Sequence, residues 1–416
     1  MATGVAILPT APERARNRDT QYSYRFDSYF YYLTGFTEPE SVLVVIAGKT
    51  PKTILFCREK DLAREIWDGY RYGPKASQKT FAFDEAYPIA KLDELMPKLI
   101  ADQPVLQFPI GADAGWDARV VGWINQVKAQ VRSGVTAPAE IQDIRTVLDD
   151  MRLLKDADEI KVMRSAAAIA TDAHRRAMQT TRPGMMEYEV EAELTHEFRR
   201  RGAQAPAYTS IVAGGGNACV LHYVENNQRL NQGDLLLIDA GCELDGYASD
   251  ITRTFPVGGK FSAPQRDIYE LVLAAQAKAI DTVKPGAAFE VYHEAALRVL
   301  VRGMIDLKLC NGSVDKVIET GDYRQFYMHR TGHWLGLDVH DAGDYKKFGK
   351  PVKLAPGMVL TVEPGCYIRP AKNVPKAFWN IGIRIEDDVL VTKSGRDVLT
   401  SPPKTVRDIE AVMAHE

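Results

Sequence analysis

Two periodicities divide the chain. In its first third, short apolar runs recur: SVLVVIAG (41–48), KTILFC (52–57) and PVLQFPIG (104–111). Runs of that length and composition predict buried strands. Between them, EKDLAREIWDG (59–69) and YPIAKLDELMPKLIA (87–101) space their apolar residues three and four apart, which predicts helices. Strands alternating with helices predict an α/β domain over residues 1–132. Residues 133–156 read as a linker with one short helix. A second domain, 157–416, then opens at a helix start, where Asp156 and Glu159 form a capping-box pattern ahead of Ile160, Met163, Ala167, Ala170 and Ala173.

Past that point the pattern repeats. RPGMMEYEVEAEL (182–194) resembles KPGAAFEVYHEAAL (284–297), and LNQGDLLLIDAG (230–241) resembles LAPGMVLTVEPG (354–365). Each half reads as two helices followed by strands, and each carries an acid two residues before a glycine, Asp239 and Glu363. Two such halves bury their strand faces against each other, which predicts one α+β unit with a pseudo-two-fold.

Composition narrows the function. With 52 basic and 55 acidic residues the net charge is −3, and no basic stripe marks a nucleic-acid footprint. The run Arg199–Arg201 precedes Gly202 at a helix end, where cations complement the helix C-terminus. No apolar run approaches the ~20 residues of a membrane span, and the N-terminus lacks the basic start and long apolar stretch of a secretory leader. The five cysteines (57, 219, 242, 310, 366) are odd in number, scattered and without a CxxC pair. They point to a reducing compartment, the cytoplasm, and away from cysteine metal ligation.

The acids change the picture most. Asp239 follows LLLI and Glu363 follows MVLTV, both runs fit for buried strands. Asp250 lies beyond an Asp245-Gly246 turn, so it is expected to face Asp239 across a hairpin. Glu386 shares a strand face with Arg384 in GIRIEDD. Four carboxylates on buried strands need positive charge, and one arginine cannot neutralise them. A divalent metal, or a pair bridged by carboxylates, supplies it; with one imidazole the oxygen-rich set suits Mn²⁺ or Co²⁺. Asp245, Asp387 and Asp388 read as surface turn residues.

MHRTGHWLGLDVHD (328–341) holds three of the eight histidines. His329 and His333 have the spacing of zinc ligands on a helix, but Gly332 and Gly336 flank His333 and Arg330 stands where a catalytic glutamate would be. The stretch 327–339 is instead predicted as strand, glycine-rich turn, strand.

The series DAGCELDGYASDITRTFPV, FYMHRTGHWLGLDVHD, LTVEPGCYI and GIRIEDD, together with YLTGFTEPESVLVVI and AREIW near the N-terminus, resembles the metal-dependent pita-bread peptidases, most closely the bacterial Xaa-Pro aminopeptidases. The resemblance spans nearly the whole chain. It implies an α/β N-terminal domain before a pseudo-two-fold pita-bread catalytic domain. It implies that Asp239, Asp250, His333, Glu363 and Glu386 ligate two divalent ions, usually Mn²⁺ with Co²⁺ or Zn²⁺ as alternatives, and that Asp250 and Glu386 bridge them. Hydrolysis of the bond before a penultimate proline would then proceed by attack of a hydroxide held between the ions. Glu363 would carry the proton, His340 would bond the scissile carbonyl, and His222 would stand on the opposite wall. His329 either lines the proline pocket or serves structure. Tyr208, Tyr367 and Arg384 match positions around that pocket or behind the ligands. Trp67 matches a residue overhanging a neighbouring subunit's cleft, in a homo-dimer or homo-tetramer.

Two departures accompany the resemblance. The chain begins later than expected of the family. Tyr29 also replaces a common aspartate, for which Asp27 is a possible substitute. A prolidase limited to Xaa-Pro dipeptides, a metal-free creatinase-like hydrolase and a non-catalytic peptide-binding protein are the alternatives on the same fold.

Overall fold

The computed structural model of the chain describes residues 3–414, and the apolar runs of its first third join in one mixed sheet. Its strands are β1 (Gly4–Pro9), β2 (Val42–Ala47), β3 (Lys52–Cys57), β4 (Glu85–Pro88), β5 (Val105–Phe108) and β6 (Glu140–Asp143), in the order β4-β3-β2-β1-β5-β6. The β1–β2 and β2–β3 pairs are antiparallel; β1–β5, β3–β4 and β5–β6 are parallel. Helices α1 (Ser28–Thr34), α2 (Leu62–Asp68), α3 (Gly73–Phe81), α4 (Leu92–Ile100), α5 (Ala114–Lys128) and α6 (Arg145–Leu153) complete the series. Val5, Ile7, Val44 and Phe56 pack in one buried cluster, while Ala6, Leu8, Leu43 and Leu55 pack in another. Burial of alternate residues on both faces is why these strands read as unbroken apolar runs. The stretch 133–156 contains the short helix read from sequence, α6, and also β6, which extends the sheet beyond β5.

The chain forms two compact units, Met1–Met151 and Arg152–Glu416. The second opens with α7 (Ala157–Thr180), whose capping box of Asp156 and Glu159 is formed as predicted. Such a cap contributes about 1 kcal/mol. Then come α8 (Glu187–Arg200), β7 (Ala205–Pro206), β8 (Ile211–Gly214), β9 (Leu235–Asp239), β10 (Cys242–Leu244), β11 (Tyr247–Ala248) and β12 (Thr252–Pro256). The other half holds α9 (Ala263–Thr282), α10 (Val291–Asp306), α11 (Val314–Thr320), β13 (Lys346–Lys347), β14 (Lys350–Pro351), β15 (Val359–Val362), β16 (Gly365–Ile368), β17 (Ile381–Arg384), β18 (Asp387–Val391), β19 (Arg396–Val398) and α12 (Val406–Met413).

The repeat is visible in the packing. Helix α7 lies against α8 and α9 against α10. The sheets β12-β9-β8 and β15-β18-β19 follow, with β16 pairing β17. Along β9, Leu236 and Ile238 enter the main core, while Leu237 belongs to a separate cluster with Ile211 and Tyr367. Strand alternation therefore carries Asp239 to the face opposite the helices.

Candidate metal centre and cleft

Register places the acids. Asp239 ends β9 opposite Thr252 of β12, and Asp250 lies two residues ahead of Thr252. In the second half Val362 of β15 faces Asp387 of β18, with Glu363 following the one and Glu386 preceding the other. Between Asp239 and Asp250 the expected Asp245-Gly246 turn is present, both residues at positive φ (47° and 81°). Thr252 joins the halves. Its hydroxyl donates to Glu386 Oε2 at 2.6 Å, and its carbonyl accepts the Glu386 N–H at 3.1 Å.

These acids repel one another in a buried place. Burial, with Asp250, Glu363 and Asp239 nearby, holds the Glu386 carboxyl well above the usual carboxylate range. Burial pushes Glu363 up to about 7 against the pull of His333 and Arg384, and burial also raises Asp250. Asp239 alone is held low despite burial, because Arg384 Nη2 donates to it at 2.6 Å and Tyr208 Oη at 2.6 Å. The Tyr208 hydroxyl also meets Asp250 Oδ1, so one proton stands between two carboxylates. Among the described residues, Arg384 is the one lysine or arginine paired with any of the four acids.

His333 completes the group. Its Nδ1 lies 2.9 Å from the Trp334 carbonyl, which takes the Nδ1 proton and leaves Nε2 toward the acids, 3.4 Å from Asp250 Oδ2 and 3.6 Å from Glu363 Oε1. Burial lowers its pKa, but Asp250 and Glu363 prevail and raise it to about 9. Ligand atoms of Asp250, His333 and Glu386 lie within 4.8 Å of one another. An oxygen-rich donor set, an imidazole of fixed tautomer and a deficit of positive charge fit divalent cations.

The segment around His333 corrects one expectation: residues 327–339 are irregular and not two strands, with a single bridge from Trp334 to Leu360. The reason is close approach. A Cβ on Gly332 would stand 2.0 Å from the Thr361 carbonyl oxygen, and one on Gly336 would stand 2.3 Å from Asp341 Oδ2. Trp334 is fully buried between Phe289 and Tyr345, its ring centroid 4.5 Å and 5.8 Å from theirs. Asp387 and Asp388 are a second correction. Neither is a surface turn residue; they are 0 % and 1 % exposed. Asp387 pairs with Arg253 at 2.6 Å and Lys404 at 2.7 Å, which keep it ionised against burial. Among the described residues Asp388 has no such partner, and burial beside Asp250 drives its pKa far up. Its Oδ2 accepts the Asp250 N–H at 3.2 Å.

A cleft of about 960 Å³ opens over this floor. His222 and His340 stand exposed on its walls, with the His340 ring 4.2 Å from that of His333. His329 also lines it. Burial first, then Arg384, lowers its pKa to about 3, so the ring is neutral. A relay runs from Arg384 Nη1 to Tyr367 Oη (3.0 Å), from that hydroxyl to His329 Nε2 (2.8 Å), and from His329 Nδ1 to the Arg330 carbonyl (2.6 Å). Tyr208 and Arg384 reach the cleft wall, whereas Tyr367 is fully buried behind it. In the first unit Trp67 is 83 % exposed on α2. Asp27 there is the N-cap of α1, accepting the Phe30 N–H, and Tyr29 donates to Asp149.

Two supports escaped the sequence reading. Asp341, beside His340, is buried with Arg152 and Lys155, which donate to its two oxygens at 2.6 and 2.7 Å. Arg152 also reaches Asp338. Glu187 is wholly buried and accepts from Gly214 N, Asn217 Nδ2, Tyr223 Oη and Gln228 N, bracing the loop on both sides of His222. The stretch MRLLKD (151–156) gave no sign of the first; the acid at the first position of a helix was a weak sign of the second.

Known proteins share both the fold and this sequence order. The family model for metallopeptidase family M24 matches residues 161–393, and that for the aminopeptidase P N-terminal domain matches residues 1–106. Xaa-Pro aminopeptidase of Haemophilus influenzae is 46% identical over 409 residues, covering 98% of this chain and 92% of that one. The solved Pseudomonas aeruginosa aminopeptidase PepP superposes with a TM-score of 0.98 at 50% identity, covering 99% and 94% of the two chains. A singly substituted Escherichia coli aminopeptidase P in complex with substrate gives 0.97 at 43% identity, with the same coverage. The chain belongs to metallopeptidase family M24, with an aminopeptidase P N-terminal domain preceding the peptidase domain.

Proposed function

We propose that this protein is a metal-dependent aminopeptidase that releases the N-terminal residue of peptides with proline second. The observation that carries the reading is the convergence of Asp250, His333 and Glu386, flanked by Asp239 and Glu363, in a buried floor short of positive charge. These five side chains would hold two divalent ions. Manganese is the proposed ion, because carboxylate oxygens dominate the donor set. When bound, the ions supply the positive charge that acidifies water and polarises a carbonyl.

The chain's own groups do the rest. Glu363 takes a proton from the attacking water and delivers it to the departing proline nitrogen. His340, open to the cleft, donates to the oxygen of the scissile carbonyl; His222 contacts the substrate from the facing wall. The nitrogen of an Xaa-Pro bond carries no hydrogen, so selection for proline rests on shape. His329, held neutral and oriented through Tyr367, offers its ring face for that purpose, and Arg384 and Tyr208 fix the acids behind it. The peptidase domain is proposed as residues 157–416 and the N-terminal domain as 1–132, with 133–156 between them. A cytoplasmic setting is supported by five buried free cysteines. A homo-dimer or tetramer is supported by the exposed Leu62, Ile66 and Trp67 on α2.

Chelation followed by metal analysis tests the reading. The stripped protein is expected to lose turnover of an Xaa-Pro-Xaa tripeptide and regain it with added Mn²⁺; full turnover without metal would sink it. Substitutions separate the histidines. His333→Ala is expected to lose bound metal, whereas His340→Ala keeps its metal and loses roughly 10²–10³-fold in kcat, the usual effect of deleting an oxyanion donor. Equal metal loss in both variants would show the roles to be wrongly divided.

A further inference from the structure

A second, smaller cavity of about 260 Å³ adjoins the cleft and shares His293, His329 and Arg330 with it. Its wall contains two arginines, Arg324 and Arg330, and no acid. The charges of the main cleft are otherwise spoken for: Arg384 is bonded to Asp239 at 2.6 Å and Lys346 to Glu290 at 2.8 Å. Among the described residues, neither the Arg324 nor the Arg330 guanidinium has a hydrogen bond or an ion pair, although Arg324 leans over the Tyr323 ring. The main chain beneath Arg330 is fixed at the same time. Its carbonyl accepts from His329, and the Thr331 carbonyl next to it accepts the Glu363 N–H at 2.8 Å. Free cationic heads on an anchored backbone, in an acid-free cavity beside an acid-rich one, suit a carboxylate. A guanidinium binds that group through two parallel hydrogen bonds.

We infer that the cavity walled by Arg324 and Arg330 is a subsite for a carboxylate carried by the substrate beyond its proline. The inference rests on the aminopeptidase reading. A peptide carbonyl can accept a hydrogen bond from these arginines but cannot balance their charge, so the group that suits them best is the C-terminal carboxylate of a short peptide or an acidic side chain at the third residue. A charge-assisted pair of this kind is worth roughly tenfold or more in kcat/KM.

The test compares Ala-Pro-Ala, Ala-Pro-Ala-amide and Ala-Pro-Asp-amide on the metal-loaded full chain and its Arg330→Gln and Arg324→Gln variants. Both side chains are exposed, so folding is not at stake. Wild type is expected to favour the free acid over the amide about tenfold, with the ratio approaching one in Arg330→Gln. A preference for the Asp-amide over the Ala-amide that vanishes in the variant assigns the subsite to a side chain. Ratios unchanged by both substitutions, or equal losses on all three peptides, would overturn the inference. Turnover of the neutral amide by wild type reports on the aminopeptidase reading separately, since it needs no carboxylate.

Discussion

Glu363→Gln is expected to lower kcat for an Xaa-Pro-Xaa tripeptide by roughly 10³-fold, within the usual contribution of a positioned acid–base. Glutamine keeps the volume and an oxygen, so the Thr361 contact at 3.4 Å and the main-chain bond to Thr331 persist. It cannot take a proton from water, and it brings no negative charge to the ions. The measurement is steady-state kinetics at saturating added Mn²⁺, which removes weakened metal binding from the comparison. Activity within tenfold of wild type under those conditions would place the proton transfer on another group, with His222 and His340 next in line.

The largest stability effect is expected at Asp341. Asp341→Ala takes from Lys155, buried at 5 % exposure, the carboxylate it is paired with, and leaves Arg152, at 2 % exposure, its contact with Asp338. Removing one partner of a buried ion pair costs about 3–5 kcal/mol, readable as a lower urea midpoint at unchanged slope. The pH dependence follows from the same contacts. Burial raises the Asp341 pKa, but Lys155 and Arg152 outweigh it and hold the group below its ordinary value. A depressed carboxyl contributes stability above the unfolded pKa of about 3.9, and that contribution is lost as pH falls through the lower folded value. The variant should therefore lose stability less steeply than wild type on acidification below pH about 4. A stability loss under about 1 kcal/mol would show that Lys155 is accommodated without Asp341 and that Asp338 suffices for Arg152. Because Asp341 adjoins His340, the conservative Asp341→Asn should lose activity less than stability if the contact only holds the segment in place.

The buried acids of the cleft floor were legible because burial and charge conflict in one dimension. LLLI before Asp239 and MVLTV before Glu363 place a carboxylate where an unbroken apolar run requires burial, and the internal repeat pairs the two. Asp387 and Asp388 were misread for want of the same contrast. They precede VLV instead of following it, and the Arg253 and Lys404 that hold Asp387 lie 134 and 17 residues away. The segment around His333 was misread for a different reason. Alternation in HWLGLDVH imitates a strand, but Gly332 and Gly336 admit a neighbouring carbonyl and carboxylate where a strand would carry side chains. Tertiary contacts of that kind leave no periodic trace.

The Thr252–Glu386 seam sets the order in which this centre comes together. The residues it joins are 134 apart in the chain, and closing a loop of that length is a slow, late event in folding. No local segment holds all five of the side chains proposed as ligands, so the proposed cations would find their full set of donors only once the halves have docked, and their charge would then hold together acids that otherwise repel across the seam.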